Sequence, residues 1–299
     1  MRVGRRDRAW RLGVVAMLAA AIGTAATPPP ATAAPAGVAQ VAAPLSCKFG
    51  QGYWEVASDG GIFNFGSAGY FGSAGSLRLA QPIVGMAPSV DGHGYWLVAA
   101  DGGVFTFGDA PFEGSTGALH LNSPIVGMTA TVDGHGYWLV AADGGVFAFG
   151  DAAFYGSAGA LHLNSPIVGI TPTADGRGYW LAGRDGGIFN FGDAAFYGSA
   201  GNIRLAQPVV GITVDRNGDG YWLVAADGGV FGFGNAAYHG STGSLRLAQP
   251  IVGIAGTYQG NGYTLAAADG GIFNFGDSTF CGSSGAIHLA KPVVGIAFF

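Results

Sequence analysis

Short apolar runs separated by glycine-rich turns recur along this chain, and the pattern returns every 42 residues. In one copy, Gly136 to Ala142 is an apolar, β-prone run. Asp143-Gly144 follows as a hairpin signal, because both residue types tolerate positive φ. Val146 to Phe149 predicts a second strand with its aromatics on one face, and Gly150-Asp151 ends it. Phe154-Tyr155 predicts the start of a third, shorter strand, and Pro166 to Thr171 predicts a fourth. Asp175-Gly176 then turns the chain into the next Gly-Tyr-Trp. No segment carries a helical period. Four short strands in about 40–45 residues is the signature of a propeller blade.

Three markers hold the register. Tyr53, Tyr95, Tyr137, Tyr179, Tyr221 and Tyr263 are each 42 residues apart. The Asp-Gly-Gly triplets starting at Asp59, Asp101, Asp143, Asp185, Asp227 and Asp269 keep the same spacing, as do the prolines from Pro82 to Pro292. The residues before Gly52 match the Pro-Ile-Val-Gly strand poorly, whereas Pro292 to Phe299 is such a strand with no blade after it. The expected fold is therefore all-β, a six-bladed propeller closed by the C-terminal strand completing the first blade. Closure would also cover sheet edges that invite aggregation. An open hairpin solenoid is the alternative, and it needs no such complementarity.

The N-terminus departs from the pattern. Five arginines between Arg2 and Arg11 precede an apolar run from Leu12 to Ile22, and Ala31-Thr32-Ala33 offers a small-residue cleavage site. That is the layout of a secretory signal peptide. Residues 1–33 are expected to be the signal, 34–46 a Pro/Ala-rich linker and 47–299 the propeller. Arg5-Arg6 leaves general and twin-arginine export both open. No later apolar run is long enough to span a membrane. With 49% hydrophobic and 10% charged residues the chain can bury a large core, and its 56 glycines suit many tight turns. Without the signal it keeps 8 basic and 17 acidic residues, a net charge of −9. That balance, with no basic cluster, excludes nucleic acid as a partner. A monomer is expected.

Cys47 precedes the first copy, and Cys281 replaces the tyrosine of Phe-Tyr-Gly in the last. In a closed ring those copies are neighbours, and an exported chain meets an oxidising compartment, so a Cys47–Cys281 disulfide is expected to lock the seam. The tryptophans beside the repeat tyrosines read as blade packing. The Asp-Gly-Gly aspartates read as turn residues. The candidate ligand contacts are Arg78, His120, His162, Arg204, Arg246 and His288, again 42 apart. Strand alternation would turn their apolar neighbours inward and the six basic groups outward, a ring suited to anions or acidic glycans. The alternative pairs them structurally with Asp109, Asp151 and their equivalents.

Catalytic signals are missing. There is no Gly-x-Ser-x-Gly elbow and no His-Glu-x-x-His or Cys-x-x-Cys spacing. Glu55 and Glu113 are the only glutamates and lie in different copies. They break the symmetry, as do Arg184, Asp219 and His239. Loops such as Asp133 to Gly136 lack a calcium-ligand spacing. No catalytic residue, metal site or cofactor is expected. The string from Gly136 to Ser157, GYWLVAADGGVFAFGDAAFYGS, resembles a repeat of secreted actinobacterial proteins, over nearly the whole chain after residue 46. In that family the array often accompanies a cell-wall or polysaccharide hydrolase domain, which this chain does not carry, and some members are labelled esterases. The resemblance implies an extracellular or cell-wall setting and supplies no catalytic residue. The expected function is a secreted, multivalent binding module for cell-wall or extracellular glycans. The alternatives are a hydrolase with its site in the central channel and a structural envelope protein.

Overall fold

A computed structural model of the protein describes Cys47 and residues 51–299. The signal peptide and linker expected over 1–33 and 34–46 lie outside the described residues. Among the described residues, no helix is long and apolar enough to cross a membrane.

Eighteen strands form six sheets of three. The middle strands are the Gly-Tyr-Trp runs: β1 (Gly52–Ala57), β4 (Gly94–Ala99), β7 (Gly136–Ala141), β10 (Gly178–Gly183), β13 (Gly220–Ala225) and β16 (Gly262–Ala267). Each is buried along its whole length. The outer strands follow the Asp-Gly-Gly turns: β2 (Ile62–Gly66), β5 (Val104–Gly108), β8 (Val146–Gly150), β11 (Ile188–Gly192), β14 (Val230–Gly234) and β17 (Ile272–Gly276). The inner strands are the Pro-Ile-Val-Gly runs: β3 (Ile83–Pro88), β6 (Ile125–Ala130), β9 (Ile167–Pro172), β12 (Val209–Val214), β15 (Ile251–Gly256) and β18 (Val293–Phe298).

Each inner strand lies against the next, and β18 lies against β3, so the six close a ring. The first sheet takes its inner strand from the C-terminus: β18 pairs antiparallel with β1, Tyr53 opposite Phe298 and Glu55 opposite Ile296. The fold is a closed six-bladed β-propeller, with the C-terminal strand completing the first blade as the sequence predicts.

Blades interlock through the repeat aromatics. Trp138 is 1% exposed and packs on Tyr179 of the next blade, ring centroids 5.7 Å apart. Its indole N–H donates to Ala153 O at 2.8 Å. The Tyr179 hydroxyl donates to Gly156 O at 2.6 Å and accepts from the Tyr155 N–H at 3.3 Å. The same tyrosine–glycine bond recurs six times, and Tyr53 to Gly282 O at 2.5 Å carries it across the junction between the last and first blades.

These bonds explain why the predicted strand at Phe154-Tyr155 does not form. Trp138 and Tyr179 occupy the backbone groups of Ala153, Tyr155 and Gly156, so the segment crosses to the next blade instead of joining a ladder. Gly156 (φ +132°) is required there, since a Cβ would stand 2.7 Å from the Phe191 ring. The blades therefore have three strands, not four.

Candidate functional site

The antiparallel order gives the ring two faces. Loops from inner to middle strand, such as 131–135, emerge on one, called here the upper face. The Asp-Gly-Gly turns emerge on the lower face. The chain after each outer strand starts at the upper face, where the Asp151 N–H donates to His135 O. It then descends to the lower, where the Ala158 N–H donates to Gly144 O.

The Arg/His ring lies on the lower face. Arg78, His120, His162, Arg204, Arg246 and His288 are all exposed, in irregular segments after the Ser-x-Gly turns. No ion pair ties any of them, so the alternative pairing with Asp109 or Asp151 does not occur. The expected alternation holds on one side only. Leu79 and Leu121 are half-buried against the core. The preceding Leu77, Leu119 and Leu161 are 53%, 59% and 55% exposed, because the segment is not a strand. The Asp-Gly-Gly aspartates are turn residues as expected: Asp143 Oδ1 accepts from the Gly145 N–H at 3.0 Å.

The upper face carries most of the carboxylates. Thr131 Oγ1 donates to Asp133 Oδ1 at 2.8 Å. That bond, with the neighbouring Asp151, holds the Asp133 carboxyl below the usual carboxylate range. Burial first, and then Asp133 beside it, pushes the Asp151 carboxyl up. The pair lines a cleft of about 280 Å³ between the third and fourth blades, with Tyr155, the Trp138 edge and Asp175. A sister cleft of about 250 Å³ holds Asp175, Asp193, Tyr197 and Asn217. Asp91, His93 and Asp109 offer ligand atoms within 4.8 Å of one another, all exposed. His93 Nδ1 lies 3.0 Å from Asp91 Oδ2, so the cluster already has a proton donor of its own.

Sequence reasoning missed a recurring set of exposed aromatics in the segments after the outer strands. Phe112, Phe154, Phe196 and Tyr238 are 59–63% exposed, and Tyr70 and Phe280 about 40%. The signal was their recurrence without the burial that the neighbouring tryptophans have.

Another cleft lies at the seam between the last and first blades, about 410 Å³, lined by Gln51, Tyr258, Gln259, Asp277, Thr279 and Phe299 among others. Thr264 stands where the other middle strands have tryptophan, and it bonds to Asn274 and Ser278. Asp277 accepts from Thr257 through Oδ1 at 2.6 Å, while its buried Oδ2 has no partner. Cys47 and Cys281 are joined in a disulfide beside it, as expected. The central channel opens on the same face through a mouth of about 420 Å³ lined by apolar residues, serines and threonines from all six inner strands, with no acid or histidine among the described residues. Glu55 is fully buried and Glu113 lies at the outer rim, so the two do not form a carboxylate pair.

Comparison with known protein families finds no matching family model, and no curated protein matches. Among solved structures, the chain is similar to the Cps50 (Swd1) β-propeller domain of Myceliophteria thermophila. The likeness has 11% identity and a TM-score of 0.47, over 82% of this chain and 86% of that one. The propeller assignment rests on the strand ladders and the closed inner ring.

Proposed function

We propose that this protein is a secreted, multivalent module that binds cell-wall or extracellular glycans in the upper-face clefts between blades. The observation that carries the reading is the repeated pairing of hydrogen-bonding carboxylates with a tyrosine in the same cleft, Asp133 and Asp151 with Tyr155, Asp175 and Asp193 with Tyr197. Asp133, Asp151 and Asp175 are acceptors for sugar hydroxyls, and ionised carboxylates make the stronger, charge-assisted bonds. Tyr155 in the same cleft adds a ring for apolar contact with a sugar. The seam cleft adds Tyr258, 73% exposed, to Gln259, Asp277 and Thr279. Each cleft is shallow, so affinity comes from linkage: tethered sites raise avidity about 10²–10⁴-fold over one site.

The lower face supports a second contact class. Six exposed basic groups with no ion pair suit anionic polymers.

The test is binding of the purified protein to a glycan array and to isolated bacterial cell walls. Saturable binding that soluble glycan competes off is expected. Asp133→Asn with Asp175→Asn, both at exposed positions lining these clefts, should weaken it at least tenfold with the fold intact. Arg204→Ala with Arg246→Ala should weaken only anionic ligands. Absence of competable binding would sink the reading, and product accumulating with time would favour the hydrolase alternative.

A further inference from the structure

The inner-to-middle loop of the fifth blade breaks the pattern of its sisters. At the buried first position the others place a hydroxyl: Ser89, Thr131, Thr173 and Thr257. Ser89, Thr131 and Thr173 donate to the aspartate two residues on, at 3.0, 2.8 and 2.9 Å. The fifth blade's loop places Asp215 there, replacing a donor with an anionic acceptor. The loop then reads Asp215-Arg216-Asn217-Gly218-Asp219-Gly220. Alternate oxygen-bearing residues closed by glycine are the spacing with which one turn of chain wraps a hard cation.

Burial makes the exchange costly. Asp215 is 5% exposed, and its Oδ1 is buried with no hydrogen-bond partner. A buried carboxylate without a partner loses its hydration uncompensated. The carboxylate faces into the loop, where the backbone N–H groups of Asp219, Gly220 and Gly218 approach it and the Asp219 carboxylate repels it. The one cation in the loop is engaged elsewhere: the Arg216 guanidinium lies 4.9 Å over the Tyr258 ring of the next loop. Just past the outer strand, the Asn235 N–H donates to Asp219 O at 3.0 Å, at a position where four sisters have aspartate.

We propose that the 215–220 loop is a calcium site, with Asp215 Oδ1, the Asn217 side-chain oxygen and the Asp219 carboxylate as protein ligands and water completing the shell. Two carboxylates and an open outer side place it with weak extracellular sites, Kd about 10⁻⁴–10⁻³ M. The position of the bidentate glutamate in a helical calcium loop is Ala226 here, which also sets the affinity low. This inference is independent of the glycan reading.

The test is a calcium titration of the purified full chain by calorimetry, with thermal unfolding in parallel. One site is expected, and about 10 mM calcium should raise Tm by about 3–6 °C. Asp215→Thr installs the sister-loop residue and should fold normally while binding at least tenfold more weakly and losing the Tm shift. Asp219→Asn should weaken binding by a similar factor. The proposal is overturned if the chain takes up no calcium to about 10 mM. Uptake undiminished in Asp215→Thr overturns it too, assigning the ion to pairs such as Asp91 and Asp109.

Discussion

Five of the six blade junctions are built alike, and the seam between the last and first blades is not. At each internal junction a buried tryptophan packs on the next blade's tyrosine, as Trp96 does on Tyr137 and Trp222 on Tyr263, with centroids 5.4–5.7 Å apart. At the seam Thr264 supplies no ring, a cleft opens, and the apolar cluster around Tyr53, Phe65 and Cys281 is small. What replaces the aromatic anchor is covalent: Cys47–Cys281, closing 234 residues of sequence. The tyrosine–glycine bond is the same at both kinds of junction. Closure geometry is thus shared by all six, while the aromatic packing that holds it is exchanged for a crosslink at the one junction where the first and last repeats meet.

The largest expected effect follows from that exchange. Reducing the disulfide, or Cys281→Ser, should cost about 2–5 kcal/mol, because so long a loop has much closure entropy to regain. Trp138→Ala, a cavity at an internal junction, should cost about 3–5 kcal/mol and be insensitive to reductant. Urea unfolding with and without dithiothreitol measures both. If reduction left the midpoint unchanged, the seam would be holding by packing alone.

The second difference is a buried acid. Glu55 sits where the other middle strands have Leu97, Leu139, Leu181, Leu223 and Leu265, and it accepts from the Ser284 hydroxyl across the seam. Burial pushes its carboxyl from 4.5 to about 8, against the Ser284 bonds that lower it. The folded state therefore holds the proton more tightly than the unfolded chain. Stability is fully present below about pH 4.5 and falls as pH rises toward about 8, by on the order of 5 kcal/mol. Glu55→Leu with Ser284→Ala restores the internal arrangement and should flatten that slope. An unaltered slope in the double variant would place the titration elsewhere.

The ring was readable because its determinants are periodic: the tyrosine, tryptophan and Asp-Gly-Gly positions fall on the same structural points in each blade, and Thr264 and Cys281 marked the seam by breaking the period. The missing fourth strand was not readable. Phe154-Tyr155 has β-prone residues, but its backbone partners are side chains of residues 138 and 179, a long-range contact that local propensity cannot register. The exposure of the Arg/His positions was legible, yet their neighbours' burial was inferred from a strand period where no strand forms. Of the clefts, only their chemistry was legible, since Asp133 and Asp151 meet through folding. The Asp215 loop was written plainly in the sequence as a departure from Ser/Thr-x-Asp-Gly, and burial is what gave the departure consequence.

The smallest effect separates coupling from strength. Tyr137→Phe leaves the Gly114 carbonyl and the Glu113 N–H without their partner and should cost about 1–3 kcal/mol. Tyr53→Phe removes the same two bonds at the seam, where the Cys281 N–H donates to the hydroxyl at 3.2 Å. Alone it should cost about as much as Tyr137→Phe. Combined with Cys281→Ser it should not add, because removing the crosslink loosens the backbone that the hydroxyl holds, and residues in direct contact couple by about 0.5–3 kcal/mol. Tyr137→Phe with Cys281→Ser, two blades away, should add within about 0.5 kcal/mol. A double-mutant cycle in urea reads both. Equal additivity at the two tyrosines would mean that the disulfide and the tyrosine bond hold the seam independently, and the exchange of packing for crosslink would then be confined to the missing tryptophan.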